Sequence, residues 1–248
     1  MLSRFYCNEQ IAVNQTLELP DNVRHHAVRV LRLKQGDIII LFNGQGGEFL
    51  SEIISINKNT STIKIFQHNE YECESPLTIE LAQAICTNEK MDWIIQKTVE
   101  MGVNRIQPIS TTRSVIKLSN ERAVKRLQHW QQIAIAACEQ CGRNRLPEIL
   151  PALSLPHWLG KIKKCELSTH TNLLLLPTAE KKLSELPEQP NNPSYTLLIG
   201  PEGGFTPEEE RAALHTHFVP IRVGKRILRT ESAALATIAA LQTLWGDY

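Results

Sequence analysis

The amino-acid sequence predicts a two-part protein: a small β-barrel-like module followed by an α/β domain built on a mainly parallel sheet. In the first seventy or so residues, short β-branched or apolar runs alternate with turn residues. From Leu77 onwards, strand-like runs alternate with helical patterns, which is typical of a parallel sheet. A polar, acidic stretch over residues 67–76, ending in proline, predicts the linker between the two parts.

The elements of the first module follow from local composition. A helical pattern covers residues 22–33, and three predicted strands come after it, at residues 38–42, 49–56 and 62–66. Asparagine- and glycine-rich turns separate these strands.

The second part repeats a strand–helix rhythm. Strands are predicted at residues 77–85, 105–109, 173–176, 196–200 and 218–223. One helix is predicted to begin with Asn88 as its cap and to end at Gly102. Two further helices are predicted over residues 120–141 and 231–245. A proline- and asparagine-rich stretch over residues 186–194 indicates a surface loop.

One glycine-rich loop is the most informative feature of this second part. An apolar run ends at Gly200, and after Gly203 and Gly204 a new helix begins. Thr206 suits the cap of that helix, Pro207 its first position, and Glu209 completes a reciprocal capping box. Such a loop after a buried strand is where α/β proteins hold a ligand.

A second cluster repeats this plan about twenty residues later in the chain. Val223 and Gly224 end a strand-like run, and a polar loop then leads to Thr230 and Glu231 at a helix start. The two loops are predicted to form two walls of one site. Neither matches the spacing of a dinucleotide fingerprint or of a phosphate-binding P-loop, so the ligand is not expected to be held by its phosphates.

Composition limits the class of protein. With a net charge of +1, any nucleic-acid surface must be local. The six cysteines form no framework, no signal-peptide pattern opens the chain, and no apolar run reaches the length of a membrane span. These features predict a soluble cytoplasmic protein. Cys138 and Cys141 form a lone Cys-x-x-Cys without a second pair of ligands, so no metal is expected.

Local charge indicates contact with RNA. Basic residues outnumber acidic ones over residues 113–145, and residues 222–229 are basic without any acid. Such patches neutralise phosphates even when the whole protein is near neutral. The residues predicted to bind RNA are Arg4, Arg24, Arg29 and Arg32 in the first module and Arg113 and Arg145 further along.

With these motifs assembled, the chain resembles the bacterial ribosomal RNA small subunit methyltransferase E family, uridine N3-methyltransferases of 16S rRNA within the SPOUT superfamily. The resemblance covers nearly the whole chain. Its most specific parts are residues 199–205 and 224–233, and residues 4–6, 25–36, 90–102, 113–115 and 139–143 add to it. Met101 and Ser232 are mild departures from the family pattern.

The resemblance implies a PUA-like β-barrel over residues 1–72 and a SPOUT domain, with a trefoil knot, over residues 73–248. It also implies the cofactor S-adenosylmethionine, a homodimer, and 16S rRNA, within the small ribosomal subunit, as the partner. By matching motifs, the predicted cofactor residues are Leu176, Pro177, Ile199, Gly200, Pro201, Glu202, Gly203, Val223, Gly224, Ile227, Leu228 and Arg229.

The implied chemistry suggests catalytic residues. Uracil N3 lies on the pairing edge, so the target base must be unpaired or flipped into a pocket, and a cation would stabilise the developing uracil anion. Arg229 is the leading candidate for that cation, with Arg143 or Arg113 second, from the same subunit or its partner. Glu202 or Glu231 is a candidate base or orienting group, although Glu231 also suits a plain helix-start role.

Two alternatives stay open on sequence grounds. The chain could be a SPOUT enzyme acting on another RNA position, or a non-catalytic RNA-binding assembly factor that keeps the fold. A nucleotide hydrolase is disfavoured because the P-loop motif is missing.

Overall fold

The computed structural model describes residues 2–115, 120–162, 170–187 and 193–248. The chain forms two compact units. The first comprises Met1–Glu74 together with Cys138–Leu146, and the second comprises Ser75–Ala137 together with Pro147–Tyr248. The predicted domain ranges, 1–72 and 73–248, stay a prediction. They do not include the contribution of Cys138–Leu146 to the first unit.

The first unit is built on a β-sheet. Its strands among the described residues are β1 (Ser3–Tyr6), β2 (Thr16–Glu18), β3 (Ile38–Phe42), β4 (Glu48–Ile56) and β5 (Ser61–Asn69), in the order β1-β3-β4-β5-β2. The β1–β3 pair is parallel and the other pairs are antiparallel. The three predicted strands are confirmed as β3, β4 and β5. The sequence did not predict β1 and β2, which are only four and three residues long.

The predicted helical stretch over residues 22–33 is confirmed up to Val30, although it is not one regular α-helix. The segment starts as a short α-helix, α1 (Asp21–Arg24), and continues as a π-helical stretch, His25–Val30. In this stretch the amide of Leu31 donates to the carbonyl of His26 at 3.0 Å. The wider turn ends where Arg32 adopts a left-handed backbone with φ of 56°, which a continuing helix excludes.

The second unit is an α/β structure. Its strands are β6 (Thr78–Ala84), β7 (Arg105–Ser110), β8 (Glu148–Ile149), β9 (Leu153–Ser154), β10 (His170–Leu175), β11 (Ser194–Ile199) and β12 (Val219–Ile221). Its helices are α2 (Asn88–Glu100), α3 (Asn120–Cys141), α4 (Leu155–Lys161), α5 (Pro207–His215) and α6 (Thr230–Trp245). The last residues of α3 belong to the first unit. In the described part of the chain the strand order is β12-β10-β11-β6-β7-β8, with β9 also on β7, and the pairs are parallel.

The predicted parallel α/β sheet is therefore confirmed, with corrections at the level of single elements. The two-residue strands β8 and β9 and the short helix α4 were not predicted, because runs this short carry no usable periodicity. Thr87, and not Asn88, is the residue that precedes α2. The predicted loop at 186–194 lies partly outside the described residues.

Burial explains why the middle of this sheet carries the site. β6 and β11 pair from Thr78↔Ser194 to Gln83↔Ile199, and most of their side chains are buried. Strands covered on both faces need nearly continuous apolar sequence, and each buried Leu or Ile contributes about 1.5–3 kcal/mol. The carboxyl ends of these strands are thus held firmly, and the loops that leave them start from fixed points.

Helix α6 completes the core of the second unit. It packs against α2 and β11, and the Trp245 ring stacks on Tyr195 with centroids 5.7 Å apart. The Gln242 amide donates to the carbonyl of Met101 at 2.9 Å. The trefoil knot stays a prediction, because strand order and pairing describe which strands are neighbours and not how the chain is threaded. Within the described residues, no helix has both the length and the apolar character that crossing a bilayer demands.

Candidate functional site

A pocket of about 590 Å³ opens in the second unit, beyond the carboxyl ends of β10, β11 and β12. This edge is where open α/β sheets bind ligands. Two segments form most of its wall: the first glycine loop (residues 200–206) and the second glycine loop (residues 222–229). All the residues predicted to bind the cofactor line it: Leu176, Pro177, Ile199, Gly200, Pro201, Glu202, Gly203, Val223, Gly224, Ile227, Leu228 and Arg229. The structure brings them to one place, while their role in binding stays a prediction.

The capping box fixes the far end of the first glycine loop. The amide of Glu209 donates to Thr206 Oγ1 at 3.3 Å, and the amide of Thr206 donates to Glu209 Oε2 at 2.9 Å, which confirms the predicted motif. The other oxygen of the Glu209 carboxylate accepts from the amide of Thr112 at 2.7 Å. This buried carboxylate therefore joins the start of α5 to the segment that follows β7.

Arg113 holds the same loop from its other side. Its Nη1 donates to the carbonyls of Gly203 and Phe205 at 2.9 and 3.1 Å. A Cβ at Gly203 would lie 3.3 Å from the Cβ of Arg113, so the loop and this side chain are in close contact. Arg113, predicted to bind RNA, is thus part of the pocket wall, and its RNA contact stays a prediction.

Thr230 joins the two glycine loops. Its hydroxyl donates to the carbonyl of Gly200 at 2.7 Å and accepts from the Gln83 side-chain amide at 2.8 Å. Both side chains are buried, so these bonds have no competition from water. Gly224, in the second loop, has a φ of 77°, a conformation that favours glycine. The two loops are the walls of one pocket, as the sequence predicted.

Lys90 is a pocket residue that the sequence reasoning did not single out. It stands in the first turn of α2, and its Nζ lies 3.1 Å from Glu202 Oε1 and 3.8 Å from Glu231 Oε2. The motif at residues 90–102 contained this lysine, but no local pattern relates it to carboxylates more than a hundred positions away.

Hydrogen bonding sets the ionisation of Glu202. Burial raises the pKa of this carboxyl, but backbone amides and the Lys90 ammonium outweigh burial, and the net effect lowers the pKa below its usual value. The carboxylate is therefore ionised and bound, which suits an orienting group better than a proton acceptor.

Arg229 is exposed at the pocket. It is the residue that precedes α6, with an extended backbone, and among the described residues no hydrogen bond or ion pair engages its guanidinium. Beside it, the Ile227 side chain is 82% exposed. Arg229 is thus a cation at the pocket that is free to meet a substrate group.

Arg143 has a different environment. Its Nε and Nη2 donate to the two carboxylate oxygens of Glu74 at 2.9 and 2.6 Å, and its side chain is only 4% exposed. Both residues belong to the first unit, whereas the pocket-lining residues belong to the second. The catalytic role predicted for Arg143 stays a prediction, and the pair with Glu74 gives this arginine a structural role of its own.

Arg4 is bound in a similar way. It donates to Glu48 at 2.6 Å and to the carbonyl of Gly142 at 3.1 Å, and it also contacts Asn144. Arg145 pairs with Glu72 at 3.2 Å, at a more exposed position.

The other predicted RNA contacts lie on or beside the π-helical stretch. Arg24 pairs with Asp21 at 3.2 Å, and Arg29 and Arg32 are exposed. These arginines remain predicted RNA ligands. Lys117, part of the basic stretch after Arg113, lies outside the described residues.

The two cysteines of the Cys-x-x-Cys motif differ in burial, since Cys141 is only partly buried. Cys138 is buried, and burial raises its pKa to about 12. Across the described ranges, no group of three or more His, Cys, Asp or Glu side chains is arranged to hold a metal ion.

Comparisons with known proteins bear on the identity of this site. A family model described as an RNA methyltransferase domain matches residues 73–242, and one described as an RNA methyltransferase PUA domain matches residues 19–66. The ribosomal RNA small subunit methyltransferase E of Buchnera aphidicola subsp. Schizaphis graminum is 40% identical over 247 residues, 99% of this chain and 98% of that protein. The protein of the same name from Bacillus subtilis is 30% identical over 94% of this chain and 92% of its own length.

Solved structures of similar fold lead to the same family. A ribosomal RNA small subunit methyltransferase E from Neisseria gonorrhoeae, bound to S-adenosylmethionine, has a TM-score of 0.91 and 40% identity over all of both chains. A Legionella pneumophila structure with bound S-adenosylmethionine has a TM-score of 0.94 and 38% identity, again over both full chains. Together with the two family models, these matches confirm the predicted architecture of a PUA-like domain followed by an α/β RNA methyltransferase domain. The chain belongs to the ribosomal RNA small subunit methyltransferase E family.

Proposed function

We propose that this chain transfers a methyl group from S-adenosylmethionine to N3 of a specific uridine in the 16S rRNA of the small ribosomal subunit. The observation that carries the proposal is a pocket that both glycine loops line together, in a chain of this family. Two of the structural relatives hold S-adenosylmethionine.

The residues at the pocket fit this ligand. Its volume of about 590 Å³ lies in the usual range for small-molecule sites. At Gly200, an added Cβ would lie 3.1 Å from the Phe205 ring, so a larger residue would require this ring of the wall to shift by a few tenths of an ångström. Backbone groups and apolar side chains such as Leu176 and Val223 suit an adenosine, and neither loop has phosphate-binding spacing. When bound, S-adenosylmethionine supplies an electrophilic methyl group on a sulfonium.

The chain's own residues would hold the base for this transfer. The N3 proton would pass to solvent water, and the methyl group would reach N3 as its bond to sulfur breaks. Loss of the proton leaves negative charge on the uracil, which a nearby guanidinium stabilises. We assign this task to Arg229, because it lines the pocket and has no partner among the described residues. Of the two second candidates, Arg143 donates from Nε and Nη2 to Glu74, and Arg113 donates from Nη1 to carbonyls of the first glycine loop.

Glu202 is assigned an orienting role. Its carboxylate is held by Lys90 at 3.1 Å, and its lowered pKa makes it a weak proton acceptor. The first glycine loop therefore contributes shape and fixed charge to the site.

We also propose that the chain works as a homodimer. From Ala233 onwards the half-buried positions of α6 are apolar and include Leu235, Ala236, Ala239 and Ala240, and Leu244 is 45% exposed. A helix that is apolar beyond its buried face is typical of an interface. Sedimentation of the purified protein should give twice the monomer mass, and Leu244→Glu should shift it towards monomer.

The test of activity is transfer of labelled methyl from S-adenosylmethionine to small ribosomal subunits purified from a strain that lacks this gene. Mass mapping of the rRNA then locates the modified atom. One methyl per subunit, on N3 of a single uridine, is the expected result. Methylation at another position would move the proposal to a different target. Absence of S-adenosylmethionine binding in calorimetry would favour a non-catalytic assembly factor instead.

A further inference from the structure

Lys90 lies between two carboxylates, one in the first glycine loop and one at the start of α6. Glu202 comes from the first glycine loop, and Glu231 comes from the first turn of α6, directly after the second glycine loop. The Lys90 ammonium is 3.1 Å from one and 3.8 Å from the other. One lysine on α2 therefore contacts both the first glycine loop and the start of the helix that follows the second.

The two carboxylates and the Lys90 ammonium are largely buried, so the charge of the ammonium has a large effect on both carboxylates. The side chains of Lys90, Glu202 and Glu231 are 30%, 26% and 16% exposed. Glu231 Oε2 is buried and accepts no hydrogen bond from the described residues, so the ammonium at 3.8 Å is its nearest compensating charge. Without that charge, two carboxylates would face each other with reduced access to water, which is unfavourable.

The neighbouring Lys97 shows what an ordinary pair on this helix looks like. It pairs with Glu100 at 2.8 Å, three residues away on α2 itself, at a similar side-chain exposure of 35%. That pair joins nothing outside the helix, and surface pairs of this kind contribute little. Lys90 differs because its partners belong to two other segments.

We infer that Lys90 is a positioning residue of the methyl-transfer site, whose ammonium holds Glu202 and Glu231 together and thereby sets the spacing of the two pocket walls. This inference rests on the proposed function. Lys90 acts through the carboxylates, and the Thr230–Gly200 hydrogen bond joins the same two walls at another point. One neutral hydrogen bond and one set of ionic contacts thus join the first glycine loop to the start of α6.

The experiment measures binding of S-adenosylmethionine by calorimetry, together with thermal unfolding of the ligand-free protein. Lys90→Met should weaken binding about tenfold, since it leaves two uncompensated carboxylates beside the pocket. Lys90→Arg, which keeps the charge, should bind within about threefold of the wild type. Lys97→Met, the matched control on the same helix, should bind within about twofold.

A double-mutant cycle with Glu231→Gln separates charge balance from general damage. Lys90→Met should cost less binding in the Glu231→Gln background than in the wild type, because one of the facing charges is gone. Equal costs in the two backgrounds would overturn the inference. So would wild-type affinity in Lys90→Met, or a tenfold loss in a folded Lys90→Arg variant.

Folding defects and failure of the proposed function give distinct results. If Lys90→Met does not fold, recovery of folding by the added Glu231→Gln change supports the inference, and no recovery overturns it. If the wild type binds and transfers methyl but the cycle shows no coupling, the Lys90 inference alone is wrong. If the wild type binds no S-adenosylmethionine, both proposals fall together.

Discussion

Two arginines from the two units show how differently one residue type is used in this molecule. Arg143 in the first unit is buried and donates through two nitrogens to Glu74. Arg229 in the second unit is exposed at the pocket and has no partner among the described residues. Both lie within motifs of the family resemblance, so their presence in a motif did not distinguish them. What distinguishes them is whether the guanidinium donors are already hydrogen-bonded to a carboxylate of the protein.

The difference has an energetic basis. A buried guanidinium that loses its carboxylate leaves an uncompensated charge, which is strongly destabilising. An exposed guanidinium is solvated, and it can exchange water for a substrate oxygen at little cost. We therefore expect variants of the first kind to change stability and variants of the second kind to change the reaction.

The largest effect is expected for Arg143→Ala. Its removal leaves the Glu74 carboxylate without its buried partner, so the free energy of unfolding should fall by about 3–5 kcal/mol. Denaturant unfolding followed by circular dichroism measures this. Arg145→Ala is the matched control, since its pair with Glu72 is more exposed and should contribute less than about 1 kcal/mol. An Arg143→Ala protein that keeps its stability but transfers no methyl group would mean that Arg143 acts in the reaction and not in stability.

Arg229→Ala is expected to act on the rate. Loss of the cation at the uracil should lower turnover by roughly a hundredfold. The unfolding midpoint should stay close to the wild type, because the Arg229 side chain caps nothing in α6. Single-turnover methyl transfer at saturating S-adenosylmethionine is the measurement. Unchanged turnover with normal cofactor affinity would remove Arg229 from the mechanism.

A smaller, pH-dependent effect is expected from Glu202. Its pKa in the folded protein lies below the ordinary value of 4.5, so its bound carboxylate stabilises the fold above that value. This stability is lost as the pH falls through the lower, folded-state pKa. The stability difference between wild type and Glu202→Gln should therefore shrink as the pH falls below about 4.5. A difference that grows on acidification would contradict the hydrogen bonding described for this carboxylate.

The smallest effect is expected for Arg211→Ala. This arginine pairs with Glu208 on α5 at 2.9 Å, but the two side chains are 66% and 72% exposed. The unfolding free energy should change by less than about 0.5 kcal/mol, measured beside Arg143→Ala under the same conditions. A loss as large as that of Arg143→Ala would mean that burial does not determine how much an arginine contributes to the unfolding free energy.

Features that depend on neighbouring residues were predictable from the sequence. The capping box of Thr206 and Glu209 involves positions three apart, and it was found where expected. The glycine loops were recognised because an apolar strand, a glycine and a helix start follow one another directly. The alternation of strands and helices likewise predicted the parallel sheet.

Features that depend on distant pairings were not predictable. Lys90 and Glu202 are separated by 112 positions, and Arg143 and Glu74 by 69, so no local periodicity relates them. The π-helical stretch His25–Val30 has the apolar spacing of an ordinary helix, and only its hydrogen bonds reveal the wider turn. In each case the decisive quantity is a contact that forms after the chain has folded.

The return of Cys138–Leu146 to the first unit affects the order in which the protein matures during synthesis. Arg4, near the start of the chain, donates to the carbonyl of Gly142, and the backbone amide of Tyr6 donates to Glu139. A nascent chain emerges from its amino end, so these early residues must wait for partners made much later. A fragment ending at residue 74 should accordingly show weaker protection from hydrogen exchange in β1 than the full chain does. The amino-terminal unit is thus first to be translated, but it completes its contacts only once the chain has been made beyond the end of α3, to Leu146.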